Sequence, residues 1–284
     1  MVNIDFEHLA VAAAYFGLSV GVVAVGKLGR DLVALRAGRR LGHALAGEDN
    51  VAVAVEQSLF VLATVVALLG SLVRGGETYV EQAADFALTS LAVLLSLWFA
   101  EQALARVILR GIDVEKEVVD RGNVAVATAR AGIVFGSALV LRGALGHDED
   151  WLLRLGWVVV GQTALLALTW LYQRLTPYDD LKQLAHRNLA AALPLAGIAI
   201  AAGQVVNAAL HGHGETLGED LVHMLAALGI ATVLLGVLRW LGDLLLLAGS
   251  TYHDEIERDR NVGAGLVEAT SYIAGGFAIA YFLT

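Results

Sequence analysis

Five side chains set in apolar sequence are where this chain can do chemistry: Glu56, Gln57, Arg130, Pro194 and Glu268. An ionisable group in hydrocarbon is expensive, so it marks function or obligatory pairing. Arg130 and Glu268 each follow an Asn, Asn123 and Asn261, by seven residues. At 1.5 Å per residue that is about 10 Å along a helix. Glu56 and Gln57 stand six and seven residues after Asn50, and Pro194 stands six after Asn188. The five share one level, about a third of the way across a bilayer core roughly 30 Å thick. Pro194 inside a helix leaves a backbone carbonyl without its usual partner.

Two roles fit this layer. Arg130 can pair with Glu56 or with Glu268 and hold the chain in register, since an unpartnered buried charge is very costly. Alternatively, the layer lines a polar cavity that binds and releases a small ion or solute. Glu101 and Arg239 lie nearer the ends of their apolar runs, and snorkelling or interfacial pairing is expected of them.

Other chemistry finds little support. The chain has no cysteine, so thiol and disulfide chemistry are excluded. His211, His213, His223 and His253 lack the spacing of a metal set, although His211 and His213 stand beside Glu215 on a polar link. The acidic pairs Asp179-Asp180 and Asp254-Glu255 are expected on solvated or docking faces. No nucleophile elbow, phosphate loop or HExxH motif occurs. No cofactor, no metal, no catalytic residue and no nucleic-acid partner is expected; the chain is not read as an enzyme.

The elements that position the polar layer are repeated. An Asn opens an Ala-rich apolar run at Asn50, Asn123, Asn188 and Asn261. An offset of 138 relates Asn50 to Asn188 and Asn123 to Asn261. The chain is therefore a tandem duplication, 1–146 and 147–284, with two related units in each half. The same offset aligns Arg130 with Glu268 and Glu101 with Arg239, with the sign reversed both times. An Asn before an apolar run predicts a helix N-cap. A second role, a ring of amides at the cytoplasmic mouth of a cavity, is compatible with the first.

Of 284 residues, 57% are hydrophobic and 17% charged, against about 25% charged in soluble domains. Eight apolar runs are long enough to span a bilayer: 8–28, 51–73, 80–105, 124–146, 151–173, 189–211, 220–247 and 262–283. The expected fold is all-α, a polytopic membrane protein of eight transmembrane helices in two four-helix halves related by a pseudo-two-fold axis. The N-terminal MVNIDFEH is acidic, unlike a signal peptide, so the first span is expected to be retained. Around the segments inside the units lie 15 of the 19 basic residues, against Arg74, Arg142 and Arg154 on the other side. The positive-inside rule puts those segments in the cytoplasm and both termini outside. Gly132–Gly136, Gly143, Gly229–Gly236, Gly263, Gly265, Gly275 and Gly276 suit close helix packing, and one such face suits a homo-oligomer.

The segments GIDVEKEVVDRGN (111–123), TPYDDLKQLAHRN (176–188) and STYHDEIERDRN (250–261) are variants of one pattern, with a degenerate copy, LRAGRRLGHALAGEDN, at 35–50. Thr176-Pro177-Tyr178-Asp179-Asp180 with Asn188 resembles the first signature of bacterial inner-membrane proteins grouped as "domain of unknown function 350", the YjfL-like proteins. Gly111-Ile112-Asp113 through Gly122-Asn123-Val124-Ala125-Val126-Ala127 resembles their second signature, as does Asn261-Val262-Gly263-Ala264-Gly265. The first unit departs most, lacking the Thr-Pro element before Asn50. The resemblance implies two four-span domains in tandem in the cell inner membrane. It brings no activity and no catalytic residue. The expected function is an ion or small-solute channel or transporter with its polar site between the halves. The alternative is a structural membrane scaffold that recruits a cytoplasmic protein partner through its segments.

Overall fold

The computed structural model describes residues 6–70, 78–146, 151–210, 217–245 and 249–283, and their regular structure is all helical. The helices are α1 (Phe6–Arg36), α2 (Leu41–Ala46), α3 (Val51–Leu68), α4 (Tyr79–Phe99), α5 (Ala105–Ile108), α6 (Val124–Ala144), α7 (Trp151–Leu175), α8 (Asp180–Ala185), α9 (Leu189–Ala209), α10 (Leu217–Leu245) and α11 (Val262–Leu283). A π-helical turn, Ala100–Leu104, joins α4 to α5. Two more, Lys116–Asp120 and Asp254–Arg258, lie in the connecting segments. The link at 147–150 and the one holding His211, His213 and Glu215 fall outside the described residues.

Among the described residues, seven helical stretches are long and apolar enough to cross a membrane. Their outer faces are apolar too: Val159, Val233, Trp240, Leu244 and Leu95 are all more than half exposed. Such surface is unfavourable in water and at home in lipid. This is a multi-pass membrane protein.

α3, α6, α9 and α11 begin alike. The residue before each Asn is left-handed: Asp49 (φ 50°), Gly122 (61°), Arg187 (59°) and Arg260 (51°). That reversal brings the Asn N–H back onto a carbonyl of its own segment, at 3.0 Å on Ala44, 2.8 Å on Glu117, 3.0 Å on Gln183 and 2.8 Å on Glu255. The Asn Oδ1 then accepts the N–H two residues on, at 3.0–3.1 Å. One of the donors orphaned at a helix start is so satisfied.

The remaining Asn donors lock one unit to the next. Asn50 Nδ2 donates to the Val118 and Val119 carbonyls (3.1 and 3.0 Å), Asn123 Nδ2 to Leu184 (3.0 Å) and Asn188 Nδ2 to Ile256 (2.7 Å). The four capped helices accordingly form a row, α3 on α6, α6 on α9, α9 on α11. They meet at matching depths, as parallel helices do. A Cβ on Gly132 would sit 2.5 Å from Ala196 Cα, and one on Gly197 2.7 Å from Ala269 Cα. The inner members are the most enclosed: 83% of the α6 span and 78% of the α9 span are buried, against 22–39% elsewhere. α1 flanks α3, α4 flanks α3 and α6, α7 flanks α6 and α9, and α10 flanks α9 and α11.

The expected pseudo-two-fold relation between the halves is not confirmed by this packing. A two-fold interface is self-complementary, so α6 on α9 would require α3 on α11 as well. Among the described residues α3 and α11 make no contact comparable to that of α6 on α9. The halves follow one another head to tail, because each unit grips its successor by the same amide contact.

Candidate functional site

The polar layer divides into two clusters, one inside each half. In the first, Arg30 on α1 places Nη2 2.8 Å from Glu101 Oε1 and 3.4 Å from Glu56 Oε2. Arg130 on α6 reaches the other Glu56 oxygen with Nη1 at 3.4 Å and Glu115 Oε1 with Nη2 at 2.8 Å. Arg30 also stacks over Phe60, 4.6 Å from the ring centre. Each residue comes from a different element: Glu56 lies two turns inside the Asn50 cap, Glu101 lies in the π-helical turn, and Glu115 lies in the segment that folds back over the end of α6. Such turns often stand at functional positions because they re-aim side chains.

Arg30, Glu56, Glu101 and Arg130 are all less than a tenth exposed. Buried guanidinium groups need acceptors for every N–H, yet among the described residues Arg30 Nη1 and Arg130 Nε have none. They adjoin a cavity of about 190 Å³ that extends to Arg39, Arg106 and Leu41 at the level of the connecting segments. Outside the span, Arg39 is paired with Asp120 at 3.0 and 3.1 Å. The hydrogen bond and charge of Arg39 hold the Asp120 carboxyl below its ordinary value.

In the second cluster Arg239 on α10 binds Glu268 on α11 directly. Tyr272 donates to the same Glu268 oxygen at 2.9 Å. Tyr172 packs edge-on to Tyr272, with centroids 5.7 Å apart. The adjoining cavity is about 90 Å³ and mostly aliphatic, with Leu168, Ile198, Val205 and Leu235 in its wall. At the segment above it, Asp180 is 3% exposed and accepts from the Thr176 hydroxyl at 2.8 Å. Burial pushes its pKa up to about 7, against the Thr176 hydrogen bond, with Glu268 adding to the rise.

Some expectations are refined and others corrected. Of the two partners open to Arg130 the structure selects Glu56, with Glu115 added, while Glu268 pairs with Arg239, so the charges do not meet between the halves. The interface there is occupied by close backbone: Gly136 and Gly203 leave no room for a Cβ on either helix. Glu101 and Arg239 are paired as expected, Glu101 buried against Arg30 and Arg239, partly buried, against Glu268. Asp180 is buried rather than solvated. Pro194 is buried inside α9, and the Ala190 carbonyl one turn back faces Gly265 of α11 rather than a cavity. Gln57 is buried, with its Oε1 unpartnered. Arg30 and Glu115 were not legible as site residues. Both read as ordinary charges flanking a span, and at the offset of 138 Arg30 aligns with Leu168.

The chain matches the family model described as Domain of Unknown Function (DUF350) over residues 4–145, 112–171 and 147–283. The chain belongs to the DUF350 family. No curated protein and no solved structure matches it. Each long DUF350 match carries one charge cluster. The third runs across the junction of the other two, from the second segment through α6 into α7.

Proposed function

We propose that this DUF350 protein binds and passes a small ion or polar solute, and that Arg30, Glu56 and Arg130 form the site. The observation that carries the reading is the first-half cavity, which leads from the connecting segments to two buried guanidinium N–H groups lacking acceptors among the described residues. A water or an acceptor-rich solute completes those groups, whereas dry packing leaves them at a cost of about 1–3 kcal/mol each. The 31-residue α1 serves as an eighth span. The positive-inside rule then places the segments in the cytoplasm, with both termini on the far side of the inner membrane.

Flux into proteoliposomes tests the site. Anion and small-solute flux is expected to change at least tenfold in Glu56→Gln and Arg130→Gln, and to persist in Glu268→Gln. No flux of any common ion or solute in the unaltered protein favours a scaffold that recruits a soluble protein. Topology has a separate check in this cysteine-free chain: His186→Cys should label only from the cytoplasmic side and Glu81→Cys only from the other.

A further inference from the structure

The row of capped helices has two unfinished ends, and they are complementary. Two junctions inside the chain, α6 on α9 and α9 on α11, use one set of positions, counted from each Asn. On its leading face α6 presents Gly132 and Gly136, nine and thirteen residues after Asn123, to α9. α9 presents Ala190, Gly197 and Ala201, at two, nine and thirteen, to α11. The receiving helices answer with Ala196 (eight) and Ala199 (eleven) on α9, and with Gly265 (four), Ala269 (eight) and Gly276 (fifteen) on α11.

The same leading positions on α11 are Gly263, Thr270 and Ala274, all small and all exposed. The same receiving positions on α3 are Ala54, Ser58, Val61 and Val65; the last three are exposed and Ala54 is half-buried. The amide lock is also cut short. The segment carbonyls gripped at the inner junctions belong to residues that are fully or nearly buried, Val118, Leu184 and Ile256 at 0%. Their counterpart in the first segment, Leu45, is 38% exposed. At the other end Asn261 is exposed, and among the described residues its amide donates only to Glu255 of its own unit.

We propose that a second copy of this chain continues the row, its α3 packing on α11 of the first, with Asn261 donating to the Leu45 carbonyl. The occupant is a second copy because the surface is the continuation of an interface the chain already makes three times. Such a head-to-tail contact repeats, giving a closed ring or an open row rather than a two-fold dimer. In the bilayer, close approach of small residues is a main source of helix association. The proposal does not depend on transport.

Cysteine cross-linking in native membranes tests it, since the chain holds no cysteine of its own. Ser58 and Thr270 stand at the eight and nine positions that meet at the inner junctions, and at opposite ends of one chain. The double variant Ser58→Cys/Thr270→Cys, oxidised with copper phenanthroline, should give a ladder of dimers, trimers and larger species, and neither single variant should. Val233→Cys/Leu95→Cys, on lipid-facing positions, serves as the control and should give none. Adding Ala274→Trp should collapse the ladder to monomer while helix content and thermal unfolding stay unchanged. Cross-linking no greater than the control overturns the proposal, and so does a dimer formed by Thr270→Cys alone, which would mean α11 against α11.

Discussion

At the offset of 138, Arg30, Glu56, Glu101 and Arg130 of the first half correspond to Leu168, Pro194, Arg239 and Glu268 of the second. The last two positions carry opposite charges in both halves, with the signs exchanged. Each half thus retains a compensated pair, as a low-dielectric interior demands. The first two positions differ in kind. Arg30 and Glu56 add a second opposite-sign couple, Arg30 pairing with Glu101 and Glu56 with Arg130, and a polar cavity opens beside them. Leu168 and Pro194 add none, and tyrosines and aliphatic side chains close in. The exchanged charges balance in both halves; the added ones, together with Arg130, line the cavity of the proposed site.

The largest effect should come from the closed cluster. Arg239→Ala leaves Glu268 with only Tyr272, and should lower stability by about 3–5 kcal/mol in thermal unfolding. A loss below about 1 kcal/mol would break the comparison, because Glu268 would then be hydrated, as proposed for the first cluster. Exchanging the signs, Arg239→Glu with Glu268→Arg, should recover roughly 2–3 kcal/mol relative to the summed single variants. The same exchange at Glu101 and Arg130 should recover little, since Arg30 and Glu115 fix the signs there.

In the open cluster Arg130→Ala leaves Glu56 with Arg30 and the cavity. The expected loss is about 1–3 kcal/mol, the cost of an unsatisfied buried group. Equal losses for Arg130→Ala and Arg239→Ala would show that the cavity is dry.

The last contrast lies between two acids, each eight residues before its Asn: Glu115, paired with Arg130, and Asp180, which accepts from Thr176. Asp180 is raised from 3.8 to about 7 on folding. Its protonated form is thus favoured in the folded state, and that stability is complete below about pH 4 and lost as pH rises through about 7. Asp180→Asn should flatten the unfolding profile over that window. An unchanged slope would mean that Asp180 is solvated after all.

Much of the scaffold was legible from sequence. The Asn caps depend on a side-chain type and on the helix start immediately after it, both local. The apolar runs reflect solvent, which acts on each helix separately. The duplication is a property of the string. Charge pairing was less accessible. Depth counted from each Asn assigns Glu56, Arg130 and Glu268 one level, but level does not say which helices are neighbours.

Sequence by itself determined that this chain is a membrane protein of four Asn-capped units in the DUF350 family, and that its buried charges must be paired. Only tertiary structure decided the partners: Arg130 with Glu56 and Glu115, Glu268 with Arg239, and Asn50, Asn123 and Asn188 each with the following segment. Pairing in three dimensions depends on helix order and rotation. Here those are set by where one backbone can approach another, at Gly136 against Gly203 and Gly265 against Ala190. The glycines are visible in the sequence, but the helix each one admits is not.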